Sequence, residues 1–293
     1  MNLYLTKRIA YPNSLYESDQ YFKGRSSHHS KKSASGITYS NLLDSNSQAD
    51  LARALEKELP KVDVDRFLEQ VTFYNDHVPT DSLVQSGYGH SKELVPGYDV
   101  ASISEKWFQQ FPNFSGFNCR LTAFSLLHSL ISVKNTGGFD DSLLFTDKDA
   151  IASAPKNSAF TDREIADFKT LFGAVATDNI TDTTLHSQKV QAYWKQQGVE
   201  FHTGNLRMIS VWFHDQIDPD ATKLFIGHVG VLVPAEEGVL FIEKISFEDP
   251  YQVLKFANAE EVVTYLMDKY DVDTSGSTKP FLMENDQPLL VDK

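Results

Sequence analysis

Leu51, Leu55 and Leu59 return at helical spacing in SQADLARALEKELP, and Pro60 closes the run. The next stretch, DVDRFLEQVTFYNDH, starts near Asp63 or Asp65 and carries Phe67, Val71 and Tyr74 along one face, so the two segments predict a helical hairpin. SISEKWFQQF predicts a third helix. NCRLTAFSLLHSLISV predicts a fourth, with Leu121, Phe124, Leu127, Leu130 and Ile131 as its apolar face. TDREIADFKTLFG has Thr161 as N-cap, Glu164 three residues on and Gly173 as a stop. DTTLHSQKVQAYWKQQG repeats that punctuation with Asp182 and Gly198. Between the hairpin and the third helix, VPTDSLVQSGYGHSKELVPGYDV reads as a long irregular connection because of its glycines and prolines, and such connections often form binding loops.

The period changes in the C-terminal third. LRMISVWFHD, KLFIGHVGVLVP and VLFIEKISF are rich in Val, Ile and Phe and predict antiparallel strands, the last two a hairpin around PAEEG. NAEEVVTYLMDKY predicts a closing helix. Helices followed by a sheet indicate the α+β class. Asn13 to Gly36 lacks apolar periodicity, so residues 1–36 are expected to be a flexible N-terminal segment and residues 37–293 a single α+β domain with an N-terminal helical extension.

Charge narrows the partners. A net charge of -13 over 293 residues repels phosphate, so no nucleic-acid partner is expected. No apolar run approaches the roughly 20 residues of a transmembrane helix, and no transmembrane segment is expected. MNLYLTKRIAYPN does not read as a secretory signal, because Lys7 and Arg8 follow its short apolar stretch. The pair His28-His29, the carboxylates of HDQIDPDATK and the scattered His77, His90, His186, His202 and His214 match no ligand spacing, so neither a metal nor a cofactor is expected.

A single cysteine excludes an internal disulfide and leaves the compartment open. Asn118 is a favourable N-cap, which puts Cys119 in the first turn of a helix, where the dipole and free N–H groups favour a thiolate. The helix's N-terminal end would form a rim, and neighbouring Arg120 would add to the thiolate population. A nucleophilic cysteine needs a base and the base an orienter. His228 interrupts the apolar strand FIGHVGVLV. There Val229, Val231 and Val233 share one face, His228, Gly230 and Leu232 the other, and Gly227 and Gly230 would leave room around the imidazole. Glu243 interrupts the next strand in the same way. A one-residue slip across PAEEG exchanges it for Lys244, and Asp249 in FEDPYQ is the alternative orienting residue.

The order NC at a helix start, HVGVLV on a strand and FIEK on the next resembles the papain-like cysteine hydrolases, above all the NlpC-type peptidases and amidases. That resemblance implies a papain-like core with Cys119 as nucleophile, His228 as base and Glu243 as third residue. It also implies an upstream oxyanion donor, for which Gln110 and Asn113 are the candidates. The branch commonly has Asp-Cys and a third His, Asn or Gln, where this chain has Asn-Cys and Glu. From YSNLLDS through FEDPYQVLKFAN the chain also resembles the bacterial domain-of-unknown-function family 4300, whose members are often described as surface lipoproteins. This implies the cell envelope. The expected function is hydrolysis of a peptide or muropeptide amide by Cys119, and the alternative is a non-catalytic surface-binding protein on the same scaffold.

Overall fold

The computed structural model describes residues 36–289. The segment expected to be flexible lies, except for its last residue, outside the described residues.

Among the described residues, eleven strands run in chain order: β1 (Ile37–Ser40), β2 (Gly89–Ser91), β3 (Ile131–Ser132), β4 (Val175–Ala176), β5 (Glu200–Phe201), β6 (Arg207–Asp215), β7 (Lys223–Pro234), β8 (Val239–Lys244), β9 (Tyr251–Phe256), β10 (Phe281–Glu284) and β11 (Gln287–Leu289). Nine form one antiparallel sheet in the order β11-β10-β6-β7-β8-β9-β1-β2, with β4 attached to β7. β3 and β5 pair separately. The expected α+β class holds. The N-terminal strands β1 and β2 complete the far side of a sheet made mostly by the C-terminal third, so the sheet draws on both ends of the described chain.

Helices cover the sheet unequally. Val229, Val231 and Val233 point into the larger core with Phe67, Phe124, Phe168 and Trp194 from the helices that precede β6 in the chain. Leu232, Phe241 and Leu254 point the other way, against Val262, Tyr265 and Leu266 of the closing helix, Ala259–Tyr270. This is the face division that strand alternation predicts.

Local signals hold where they are strongest. Thr161 and Glu164 form the full capping box of the Asp162–Phe172 helix. Asp182 caps Thr183–Gln197, and Gly198, at φ 64°, ends it in the left-handed conformation that glycine adopts without strain. Gly173 also stands at a helix end, but at φ -58°. A Cβ there would lie 2.7 Å from the Lys169 carbonyl oxygen, so close approach accounts for this glycine. The fourth helix is shorter than expected. It spans Cys119–Leu127, then tightens into a 3-10 turn at His128–Leu130, and Ile131 enters strand β3.

Candidate functional site

The site is built on β7, β8 and the Cys119–Leu127 helix packed against them. Asn118 accepts the Leu121 N–H on its Oδ1 (3.0 Å), which fixes the first turn and puts Cys119 at its opening position. A buried carboxylate secures this end. Asp147, on the Phe145–Ser153 helix, accepts from Asn118 Nδ2 at 2.8 Å and from Arg120 Nε and Nη2 at 3.0 and 2.6 Å. Arg120 Nη1 also reaches the Ile226 carbonyl of β7 at 2.8 Å, tying the helix start to the strand that carries the histidine.

That strand is irregular where it matters. β6 and β7 pair in register from Arg207/Leu232 to Val211/His228. A bulge at Gly227 then shifts the pairing to Trp212/Ile226. A bulge bends the strand and re-aims the side chains beside it, and His228 is adjacent. On the β8 side Val231 pairs with Ile242, which puts Glu243 on the same face as His228, one diagonal step away. His228 Nε2 lies 2.5 Å from Glu243 Oε2. The register left open in the sequence therefore resolves to Glu243. Asp249 instead accepts from Ser246 Oγ at 2.6 Å.

The glycines serve another purpose than the expected one. A Cβ at Gly230 would stand 2.3 Å from the Phe241 ring, and one at Gly227 2.4 Å from the Phe213 ring. They admit two phenyl rings, while the imidazole packs against Tyr270 (centroids 5.1 Å, 27° between planes).

Glu243 is the centre of a buried network. Its Oε1 accepts from Gln252 Nε2 (2.5 Å), Tyr265 OH (2.5 Å) and Lys269 Nζ (3.3 Å). Gln252 Oε1 accepts in turn from Tyr98 OH at 2.8 Å, and Tyr98 OH accepts from Asn41 Nδ2 at 2.9 Å. Burial alone would push the carboxyl up. The charges of Lys269 and His228 and the hydrogen bonds of His228 and Tyr265 outweigh it and hold Glu243 far below the usual carboxylate range.

The charge passes to the imidazole and from there to the sulfur. Burial pushes His228 down, but the Glu243 charge and the contacts with Cys119 and Glu243 carry it above the ordinary histidine value. Burial likewise pushes the Cys119 thiol up, and His228, by hydrogen bonding and charge, together with Arg120 brings it below the ordinary thiol value. Among the described residues His228 Nδ1 forms no hydrogen bond, to Cys119 Sγ or to any other atom, and it is the ring nitrogen that Glu243 does not engage.

Two expectations about this end of the helix need correcting. Cys119 is only 5% exposed, so the helix start is a covered end and not a rim. Gln110 is exposed and spends its amide on the carbonyls of His77 (2.9 Å) and Lys106 (3.1 Å). Asn113 is exposed on the turn that follows.

Sequence reasoning missed most of the supporting cast. Asp147, Gln252, Tyr265 and Lys269 lie in segments read as helix surface or not read at all, and only the fold brings them in. Lys244 appeared only as the residue that a slip would substitute for Glu243. It is fully buried, with Nζ donating to the carbonyls of Ser246 (3.1 Å) and Phe247 (2.6 Å) and lying 4.8 Å from the centre of the Tyr74 ring. Burial pushes it down to about 7. Among the described residues, no group of three or more His, Cys, Asp or Glu could hold a metal ion, and no helix is long and apolar enough to cross a membrane.

A family model for a domain of unknown function, DUF4300, matches residues 38–289. The chain belongs to the DUF4300 family. The matched region takes in every residue of this DUF4300 site, from Asn41 to Lys269. No curated protein and no solved structure matches the chain.

Proposed function

We propose that this DUF4300 domain is a cysteine hydrolase acting on peptide amide bonds. The observation that carries this reading is the Cys119–His228–Glu243 series: a first-turn thiol held below its ordinary value by an imidazole that a buried carboxylate orients at 2.5 Å.

The chemistry follows from the atoms. Cys119 Sγ, as thiolate, attacks the substrate carbonyl carbon, and the His228 imidazolium gives its proton to the leaving amine. Water, deprotonated by His228, then cleaves the thioester and restores the thiol. Glu243 holds the ring by Nε2 and stabilises its protonated form throughout. Leu121 N–H and Thr122 N–H are taken by Asn118, so the Cys119 and Arg120 N–H groups are the first-turn donors for the oxyanion. A papain-like, NlpC-like core, muropeptide substrates and a place in the cell envelope are part of this proposal, and rest on the resemblance of the motif segments and the family.

The near-complete burial of Cys119 favours a second reading, a binding protein that keeps the arrangement without turnover. Alkylation rates against pH, paired with hydrolysis of a peptide and muropeptide panel, separate the two. The hydrolase reading expects thiol ionisation well below the ordinary value of about 8.5, loss of that reactivity in His228→Ala, and turnover of at least one amide. A reactive thiol without turnover leaves the binding reading, and slow alkylation at every pH defeats the nucleophile itself.

A further inference from the structure

Gln70 is 6% exposed, yet among the described residues neither Nε2 nor Oε1 of its amide has a hydrogen-bond partner. Buried amides in native proteins are almost always satisfied, so such a pair of open groups marks a place for something else. Gln70 lines a cleft walled by Tyr74, Trp107, Phe114, Phe117 and Tyr251. Two of the walls' own polar groups are already used: Trp107 Nε1 donates to the Phe114 carbonyl at 2.7 Å, and Tyr74 OH to the Glu248 carbonyl at 2.6 Å.

The cleft is tied to the cysteine segment through the chain. Its lining includes Gly116, three residues before Cys119, at φ 90°. A Cβ there would lie 3.2 Å from the Phe247 carbonyl oxygen and 3.5 Å from the Trp107 ring, so a side chain at this position would crowd the cleft wall.

The space selects a small occupant. The centre of a water molecule can reach about 20 Å³ of it, room for one or two water-sized groups such as the O and NH2 of a single carboxamide. The polar edge selects further. A primary carboxamide presents C=O and N–H side by side, and its full complement is an acceptor next to a donor. A second primary carboxamide supplies both, closing two N–H···O bonds. A trans peptide unit has its N–H and C=O on opposite edges and can meet only one. A carboxylate offers two acceptors and turns one of them on Gln70 Oε1.

We propose that this cleft is a substrate subsite for a primary carboxamide side chain, of glutamine or asparagine type, held edge to edge by Gln70, with Gly116 of the segment leading to Cys119 in its lining. The word substrate rests on the hydrolase reading, whereas the recognition does not.

The test measures binding directly. The N-acetyl, N′-methylamide forms of glutamine, asparagine, glutamate and methionine are titrated calorimetrically into the wild type and into Gln70→Met, which fills the same space without polar atoms. At least one carboxamide is expected to bind tenfold or more tightly than both the carboxylate and the thioether, with the advantage lost in Gln70→Met. The stronger of the glutamine and asparagine probes reports the depth of the slot. The variant's melting temperature should equal or exceed the wild type's, which excludes misfolding as the cause of the loss. Equal binding of all four probes, a preference for glutamate, or a preference that survives in Gln70→Met would overturn the assignment, the amide then holding water alone. Carboxamide preference without hydrolysis of matching peptides would keep the subsite and remove the hydrolase. Hydrolysis without preference would do the reverse.

Discussion

Gln252 lies directly across the sheet from Glu243 and donates its amide to Glu243 Oε1 at 2.5 Å. Cross-strand pairing thereby engages one carboxylate oxygen and leaves Oε2 for His228. The orienting group of the candidate site is thus fixed by the register of two strands.

Removing the Glu243 charge should separate it from its sequence-level rival. Glu243→Gln keeps the shape but leaves Lys269 buried without its carboxylate, at a cost of about 3–5 kcal/mol in urea unfolding. It should also move the pH midpoint of Cys119 alkylation up toward the ordinary value of about 8.5. Asp249→Asn should leave that midpoint in place, because Asp249 engages Ser246 and not the imidazole. An equal shift in both variants would contradict the assignment.

The same groups set an acid and an alkaline limit. Glu243 is depressed in the folded state, so its stabilisation is present above its unfolded value of about 4.3 and is lost as pH falls below it. His228 is raised, so its share is complete below about 6.5 and is lost as pH rises through its folded value. These two shares therefore fall on either side of a plateau between these values, and each is read as the difference in melting temperature between the wild type and the matching variant. Glu243→Gln should lose the Glu243 share of the acid-side fall, and His228→Gln the His228 share of the alkaline-side decline.

Lys244 should behave in the opposite sense. Its folded value of about 7 lies below the ordinary 10.5, so its burial is a penalty that is fully present below pH 7 and is relieved as pH rises toward 10.5. Lys244→Met should raise stability at pH 6 by roughly 1–4 kcal/mol. It should also remove the part of the wild type's pH dependence that lies between 7 and 10.5. Chemical denaturation at pH 6 and pH 9 reads both effects.

Asp147→Ala should act at the helix start. Arg120 would keep its buried charge with only the Ile226 carbonyl to meet it, and Asn118 Nδ2 would lose its acceptor. A loss of about 3–5 kcal/mol in urea unfolding is expected. Unchanged stability would show that the ion pair is not what secures this end.

How much was legible depends on whether the signal was local. Asn118, Thr161 with Glu164, and Asp182 with Gly198 were readable because a cap acts within a few residues of its helix. The alternation in VGVLV divided the faces of β7 correctly for the same reason. The fourth helix was overread because His128–Ser132 continues the apolar pattern, while strand β3 draws Ile131 into a pairing with Phe201 seventy residues on. Gln252, Tyr265 and Lys269 carry no sequence signal of a carboxylate partner. Two of them sit in an ordinary amphipathic helix, and only the docking of that helix on the sheet brings them to Glu243. The Gly227 bulge was equally hidden, because a glycine in a strand does not say which neighbour needs the space.

The carboxylate network has a consequence for how the protein matures on the ribosome. Cys119 leaves the tunnel more than a hundred residues before His228, and Lys269 follows later still. Until the closing helix docks, Glu243 lacks the cation and the phenol that make a buried negative charge tolerable. A nascent chain stopped short of that helix would hold a thiol without an armed base. On the hydrolase reading, reactivity then waits for the Ala259–Tyr270 helix, which is translated after Cys119, His228 and Glu243.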